Sequence, residues 1–150
     1  MGLEADAIEL INILRSKLIN VIEEDIDPEN VGRLISSILY DSNLICYPVV
    51  AGLGSKGPYI CSMDGLGAMT KTNDFVASGS SVSALLTACE AEYVSNCKPN
   101  TLLSIAQKII KSALQRDVVS GCKIHSYTLF NNKIFVKEMY LPDVWYKNLY

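Results

Sequence analysis

Arg116-Asp117-Val118-Val119-Ser120-Gly121 stands where a strongly apolar helix pattern ends and an alternating strand pattern begins. Aspartate is a poor residue for the end of a helix. The last turn carries the negative end of the helix dipole and repels a carboxylate. A chain that places Asp there, with Ser and Gly within a few residues, uses those side chains for something other than the helix. Asp117, Ser120 and Gly121 are therefore candidate site residues.

The pattern on either side gives the element order. Before Asp117, a helix opens at Pro99 and presents Leu102, Ile105, Ala106, Ile109, Ala113 and Leu114 on one face. The preceding helix starts at Ser80 or Ser81 and runs to about Val94. After Gly121, Lys123 to Phe130 and Lys133 to Met139 predict a hairpin across Asn131-Asn132. A tail from Tyr140 to Tyr150 follows, with Pro142 and Trp145 among its tyrosines. Aromatic residues in such an arm suit an interface.

The chain opens in a helix whose stripe is Ile8, Ile11, Leu14, Leu18 and Ile22, widened by Leu10, Ile13 and Val21. A stripe that wide predicts contact on two sides. Glu23-Glu24-Asp25 reads as a solvated link. Asp27 caps a second helix with Pro28 at its first position, and Val31, Leu34, Ile35, Ile38 and Leu39 form its apolar face. Strands are expected at Leu44 to Ala51, Tyr59 to Met63, Ala68 to Lys71 and Phe75 to Ala77. Pro48 implies an edge or irregular position, and turns are expected at Gly52 to Gly57 and Asp64-Gly65. Two helices, about four strands, two helices and two strands argue for α+β layers rather than alternating βαβ units.

With 150 residues the chain is one domain by length and can bury a sizeable core. Hydrophobic residues make up 49% and charged residues 19%, a tilt that points to surface covered by a partner. The net charge of −3 and the absence of a Lys/Arg block argue against a nucleic-acid partner. No apolar run approaches the roughly 18 residues of a membrane span. The opening Met1 to Asp6 carries early acids and no basic region, unlike a signal peptide. Five cysteines, none spaced Cys-x-x-Cys, and one histidine make a metal site improbable on spacing. They fit an intracellular protein with reduced, mostly buried thiols.

Three local patterns invite chemistry. Gly52-Leu53-Gly54-Ser55-Lys56-Gly57 matches G-x-G-x-x-G, but Pro58 and a strand follow where a helix N-terminus should hold the pyrophosphate. The pattern therefore reads as a glycine-rich hairpin turn, and no cofactor is expected. His125 lies within the strand after Gly121 with neither a nucleophile motif nor an orienting partner beside it, and reads as a satisfied or half-exposed strand histidine. Ser78-Gly79-Ser80-Ser81 precedes a helix, so Ser80 reads either as a cap or as a polar group positioning a charged partner.

Gly79-Ser80 before one helix and Arg116-Asp117-x-x-Ser120-Gly121 after the next resemble the second half of a beta-type subunit of the proteasome core particle. Tyr47 to Leu53 is similar to that family's strand before its mid-chain hairpin, and Asp74 to Gly79 to the strand leading into its third helix. Ile60-Cys61-Ser62-Met63-Asp64 is worded most like the third beta position of the eukaryotic ring. The resemblance covers about Gly2 to Val136. It implies the N-terminal-nucleophile hydrolase fold, a four-layer αββα sandwich, here as a partial beta-subunit domain over 1–139 with a tail at 140–150.

In catalytic members of the family an N-terminal threonine attacks, its amine serves as base with a lysine's help, and Asp and Ser groups hold that amine. By motif, Ser80, Asp117, Ser120 and Gly121 match that network. The start at Met1-Gly2-Leu3 aligns with the family's first helix, so the strands bearing the threonine, the lysine and the oxyanion donor are missing from the sequence as written. The expectation is a non-catalytic structural subunit of the 20S core particle, serving ATP- and ubiquitin-dependent protein degradation. It would assemble with other alpha and beta subunits in cytoplasm and nucleus, with no nucleic-acid or membrane partner. The alternative is an active threonine-type endopeptidase whose nucleophile-bearing segment lies outside this sequence.

Overall fold

The computed structural model describes residues 2–21, 26–117, 120, 123–130 and 133–140, and the chain divides into two units, Met1–Gly79 and Ser80–Tyr150. Helices and antiparallel sheets occupy separate runs of the chain, as an α+β protein requires.

The first unit holds α1 (Glu4–Leu18), α2 (Pro28–Asp41) and a three-stranded antiparallel sheet of β1 (Val49–Gly54), β2 (Gly57–Met63) and β3 (Met69–Thr72), in the order β1-β2-β3. α2 starts as its sequence dictates: the Asp27 side chain accepts the Glu29 N–H at 2.9 Å, and Pro28 occupies the first turn. Its buried residues are Pro28, Gly32, Ile35, Ile38 and Leu39. The middle strand answers with Tyr59, Cys61 and Met63 at alternate positions. Gly32 lets the two surfaces meet, since a Cβ there would sit 3.0 Å from the Tyr59 hydroxyl. Leu10 and Cys46 complete this core.

Four expectations are corrected in this unit. α1 ends at Leu18, and among the described residues of the wide stripe only Leu10 is buried, while Ile8 and Ile11 are exposed. The expected strand from Leu44 begins only at Val49, because Pro48 has no N–H for the ladder; before it, Cys46 makes one bridge to Gly2. Gly52 and Gly54 lie within β1 rather than in a turn, and Gly54 pairs with Gly57 across Ser55-Lys56. The reason is close approach: a Cβ on Gly52 would stand 2.9 Å from Pro28 Cβ, and one on Gly54 2.9 Å from Asp27 Oδ2. Phe75 to Ala77 forms no strand. Side chains hold that segment instead, with Thr72 Oγ1 donating to the Phe75 carbonyl at 2.9 Å and Ser78 Oγ to that of Tyr47 at 2.7 Å.

Asp27 links the two halves of this unit, because Oδ2 also accepts the Ser55 N–H at 3.3 Å and the Ser55 hydroxyl at 3.2 Å. Its carboxyl is held below the ordinary 3.8, first by the Glu29 N–H, then by Ser55 and Lys56 against a desolvation cost. A group depressed in the folded state stabilises the fold above its unfolded pKa and loses that effect as pH falls through the folded one. Asp27→Ala is therefore expected to lower the thermal midpoint at neutral pH, followed by circular dichroism. The difference from the parent should close once the pH drops well below 3.8.

The second unit holds α3 (Val82–Glu92), α4 (Pro99–Leu114) and the hairpin of β4 (Lys123–Phe130) and β5 (Lys133–Tyr140), paired antiparallel from Lys123↔Tyr140 to Phe130↔Lys133. Of the tail expected from Tyr140, Tyr140 itself closes β5 by pairing with Lys123, and the rest, like the turn expected at Asn131-Asn132, lies outside the described residues. Ile109 and Ala113 are the buried residues of α4, Ile124 is buried in β4, and α3 has none. Lys108 ties α4 to α3 through Glu92 at 2.7 Å.

Candidate functional site

Three of the four residues singled out by sequence meet at the end of α4. There the chain tightens. The Gln115 N–H bonds the Lys111 carbonyl at 3.2 Å, that of Arg116 the Ala113 carbonyl at 3.0 Å, and that of Asp117 the Leu114 carbonyl at 3.3 Å. This shift from four-residue to three-residue bonding is the usual close of a helix. It carries Asp117 into a buried position, 7% exposed, where it is the buried charged residue among those described. Its Oδ2 accepts the Ser80 hydroxyl at 2.7 Å and the Ser120 hydroxyl as well. Gly121 lies outside the described residues.

The geometry explains why an aspartate tolerates this helix end. Hydrogen bonds to an ionised acceptor are the stronger kind, and two hydroxyl donors offset the repulsion of the nearby carbonyls. Ser80 precedes α3, whose N-cap is Ser81, and Ser81 makes no side-chain cap bond. The serine cap expected from sequence is thus not formed, and the Ser80 hydroxyl is committed to Asp117. A hydroxyl that donates its proton is also an acceptor by type, so the carboxylate and the two serines are oxygen groups of the kind an ammonium needs. A carboxylate ringed by hydroxyls can hold a cation; it is a weak base for activating either serine.

The other candidates lie elsewhere. His125 pairs with Glu138 on the facing strand, Nδ1 to Oε1 3.2 Å. Burial pushes the thiols of Cys46 and Cys89 up, with Asp6 and Glu90 adding to it, which disfavours the reactive thiolate. The glycine-rich segment runs from strand to strand and opens no helix for a phosphate. Among the described residues no three His, Cys, Asp or Glu side chains gather to hold a metal, and no helix is long and apolar enough to cross a membrane. A groove of about 480 Å³ between α3 and α4 is lined by Ala84, Ala88, Ile109, Ser112 and Arg116 among others, but by none of Ser80, Asp117 and Ser120.

One charged cluster escaped the sequence. Glu29 stands 3.2 Å from Arg33, 3.7 Å from Lys56 and 3.8 Å from Lys71. The pair with Arg33 has i,i+4 spacing and was legible. The two lysines arrive only through sheet pairing and carry no local signal.

Comparison with known proteins adds the following. A family model described as proteasome subunit matches residues 1–129. Proteasome subunit beta type-3 of Oryza sativa subsp. japonica is 38% identical over 127 residues, 80% of this chain and 62% of that protein. Proteasome subunit beta type-3-A of Arabidopsis thaliana is 37% identical over 127 residues, 81% and 62% of the two chains. Proteasome subunit beta type-3 of Caenorhabditis elegans is 34% identical over 145 residues, 92% and 71%. The chain spans about three fifths of the length of the two plant relatives, 62% of each.

Proposed function

We propose that this chain, which belongs to the proteasome subunit family, is a non-catalytic structural beta subunit of the 20S core particle at the third beta position. The observation that carries this reading is its likeness, over most of its length, to plant and animal proteins named beta type-3. In this reading its helices and antiparallel sheets belong to the four-layer αββα sandwich of the N-terminal-nucleophile hydrolases. Its partners are the other alpha and beta subunits of the ring, in cytoplasm and nucleus. Its contribution to ATP- and ubiquitin-dependent degradation is to build the chamber wall. Asp117, Ser80 and Ser120 then serve as a polar post that fixes the end of α4 to the entry of α3, since both hydroxyls donate to the one carboxylate.

A second reading has its own support. The same three side chains do converge, and a carboxylate with hydroxyls beside it suits the ammonium of an N-terminal nucleophile. The chain would then be part of an active threonine endopeptidase.

The test is purification of the endogenously tagged protein under native conditions. Co-sedimentation with other proteasome alpha and beta subunits in a large particle is expected. Recovery as a lone monomer without such partners would overturn the assembly reading. Treating the same particle with an electrophilic peptide probe for threonine nucleophiles separates the two readings. Labelled neighbours and an unlabelled chain are expected, and covalent label on this chain would favour the peptidase.

A further inference from the structure

We infer that the surface built by Arg33, Lys56 and Lys71 around Glu29 is a docking site for an acidic peptide segment of another chain. Three cations from three places converge there: Arg33 from α2, Lys56 from the β1–β2 turn and Lys71 from β3. Glu29 gathers them but does not use up their donors. Arg33 gives it one nitrogen at 3.2 Å. Lys56 and Lys71, at 3.7 and 3.8 Å, are beyond hydrogen-bond length, so their N–H groups remain available to a second acceptor. All three cationic side chains are at least half exposed, and Glu29 is mostly covered, 24% exposed.

The arrangement is held in place before any partner arrives. Asp27 bonds both α2 and Ser55, which fixes the turn that carries Lys56. The Lys71 ammonium lies 4.9 Å from the centre of the Tyr59 ring, and β3 is locked by its pairing with β2. The backbone that carries the two lysines is therefore set before binding. Counting Asp27 and Glu29 against the three cations leaves one positive charge in excess, on a chain whose net charge is −3. That local sign favours an incoming carboxylate. The central Glu29 repels a dense polyanion, so spaced Asp and Glu side chains suit the surface better than a phosphate backbone. A partner carboxylate would bring the acids to three, with Asp27 and Glu29, against the three bases.

The experiment is fluorescence anisotropy of a labelled Asp/Glu-rich decapeptide titrated with the full chain. The double change K56Q/K71Q should weaken binding about tenfold, the sum of two partly exposed charge pairs. E29Q should tighten it, and raising salt from about 0.05 to about 0.3 M should weaken it by screening. Unchanged affinity in K56Q/K71Q, or equal binding of a neutral decapeptide, overturns the inference. Tighter binding of an oligothymidylate of equal length overturns it in favour of a nucleic-acid surface. If the free chain does not fold, zero-length carbodiimide cross-linking of the native complex gives the same decision. Links from Lys56 or Lys71 to Asp or Glu of another chain are expected, and links to Glu29 alone overturn it.

Discussion

Gly67→Ala should unfold or severely weaken the first unit, at about 3 kcal/mol or more, the range reached when backbone strain adds to a core clash. Gly67 has a φ of +82°, in the left-handed region where a side chain costs about 1–2 kcal/mol. The larger effect is contact. A Cβ at this position would overlap the Ser36 carbonyl oxygen and lie 3.1 Å from the Ser36 carbonyl carbon and 3.2 Å from its Cα. These are backbone atoms in the middle of α2, so they cannot step aside as a flexible side chain would. The loop itself is held on both sides. Ser36 Oγ donates to the Gly67 carbonyl at 2.6 Å, and Asp64 Oδ1 accepts the N–H groups of Leu66 at 2.9 Å and Ala68 at 2.8 Å. Relieving the clash would break the Ser36–Gly67 bond and lift the loop off α2. Urea unfolding followed by circular dichroism measures the loss. A midpoint within a few tenths of a molar of the parent would show that the loop can leave α2 without cost.

What the residues disclosed by themselves follows how local the physics is. Asp27-Pro28 announced α2 because capping is decided within one turn, and the structure has the bond at 2.9 Å. The last hairpin was readable from its alternation, and its pairing runs to Phe130↔Lys133 as the two segments imply. Asp117 announced itself as a violation of helix electrostatics, which is where a site is expected to break local rules. Ser80 stood out as a cap or a positioning group, but its association with Asp117, 37 residues away, came only with the family resemblance, since spacing cannot say which serine folds back onto a given carboxylate. Gly52 and Gly54 were misread because glycine signals a turn and a close approach in the same letter; the approach of Pro28 and Asp27 chose the second meaning. α1 carries apolar residues on several faces, so its period could not tell that Leu10 would be covered and Ile8 and Ile11 left out.

Asp117→Ala is expected to destabilise the second unit by about 3 kcal/mol, because two charge-assisted hydroxyl bonds lose one shared acceptor. The estimate sits below a simple sum, since Ser80 and Ser120 both donate to Oδ2 and their contributions are coupled. Asp117→Asn should cost less than half as much, because an amide oxygen can still accept both hydroxyls after the charge is gone. The order Ala worse than Asn, read from urea midpoints, tests whether satisfaction of the serines or the charge itself holds this corner. A double-mutant cycle of Ser80→Ala and Ser120→Ala should be non-additive by about 1 kcal/mol, and strict additivity would mean that the two bonds act independently. The same variants divide the two functional readings. If Asp117 is only a post, particles that do assemble with Asp117→Asn keep their full peptidase activity and simply form in lower yield. If its carboxylate orients a nucleophile's amine, the particle assembles normally and one peptidase activity falls by orders of magnitude, since charge rather than shape is what an ammonium needs from this site.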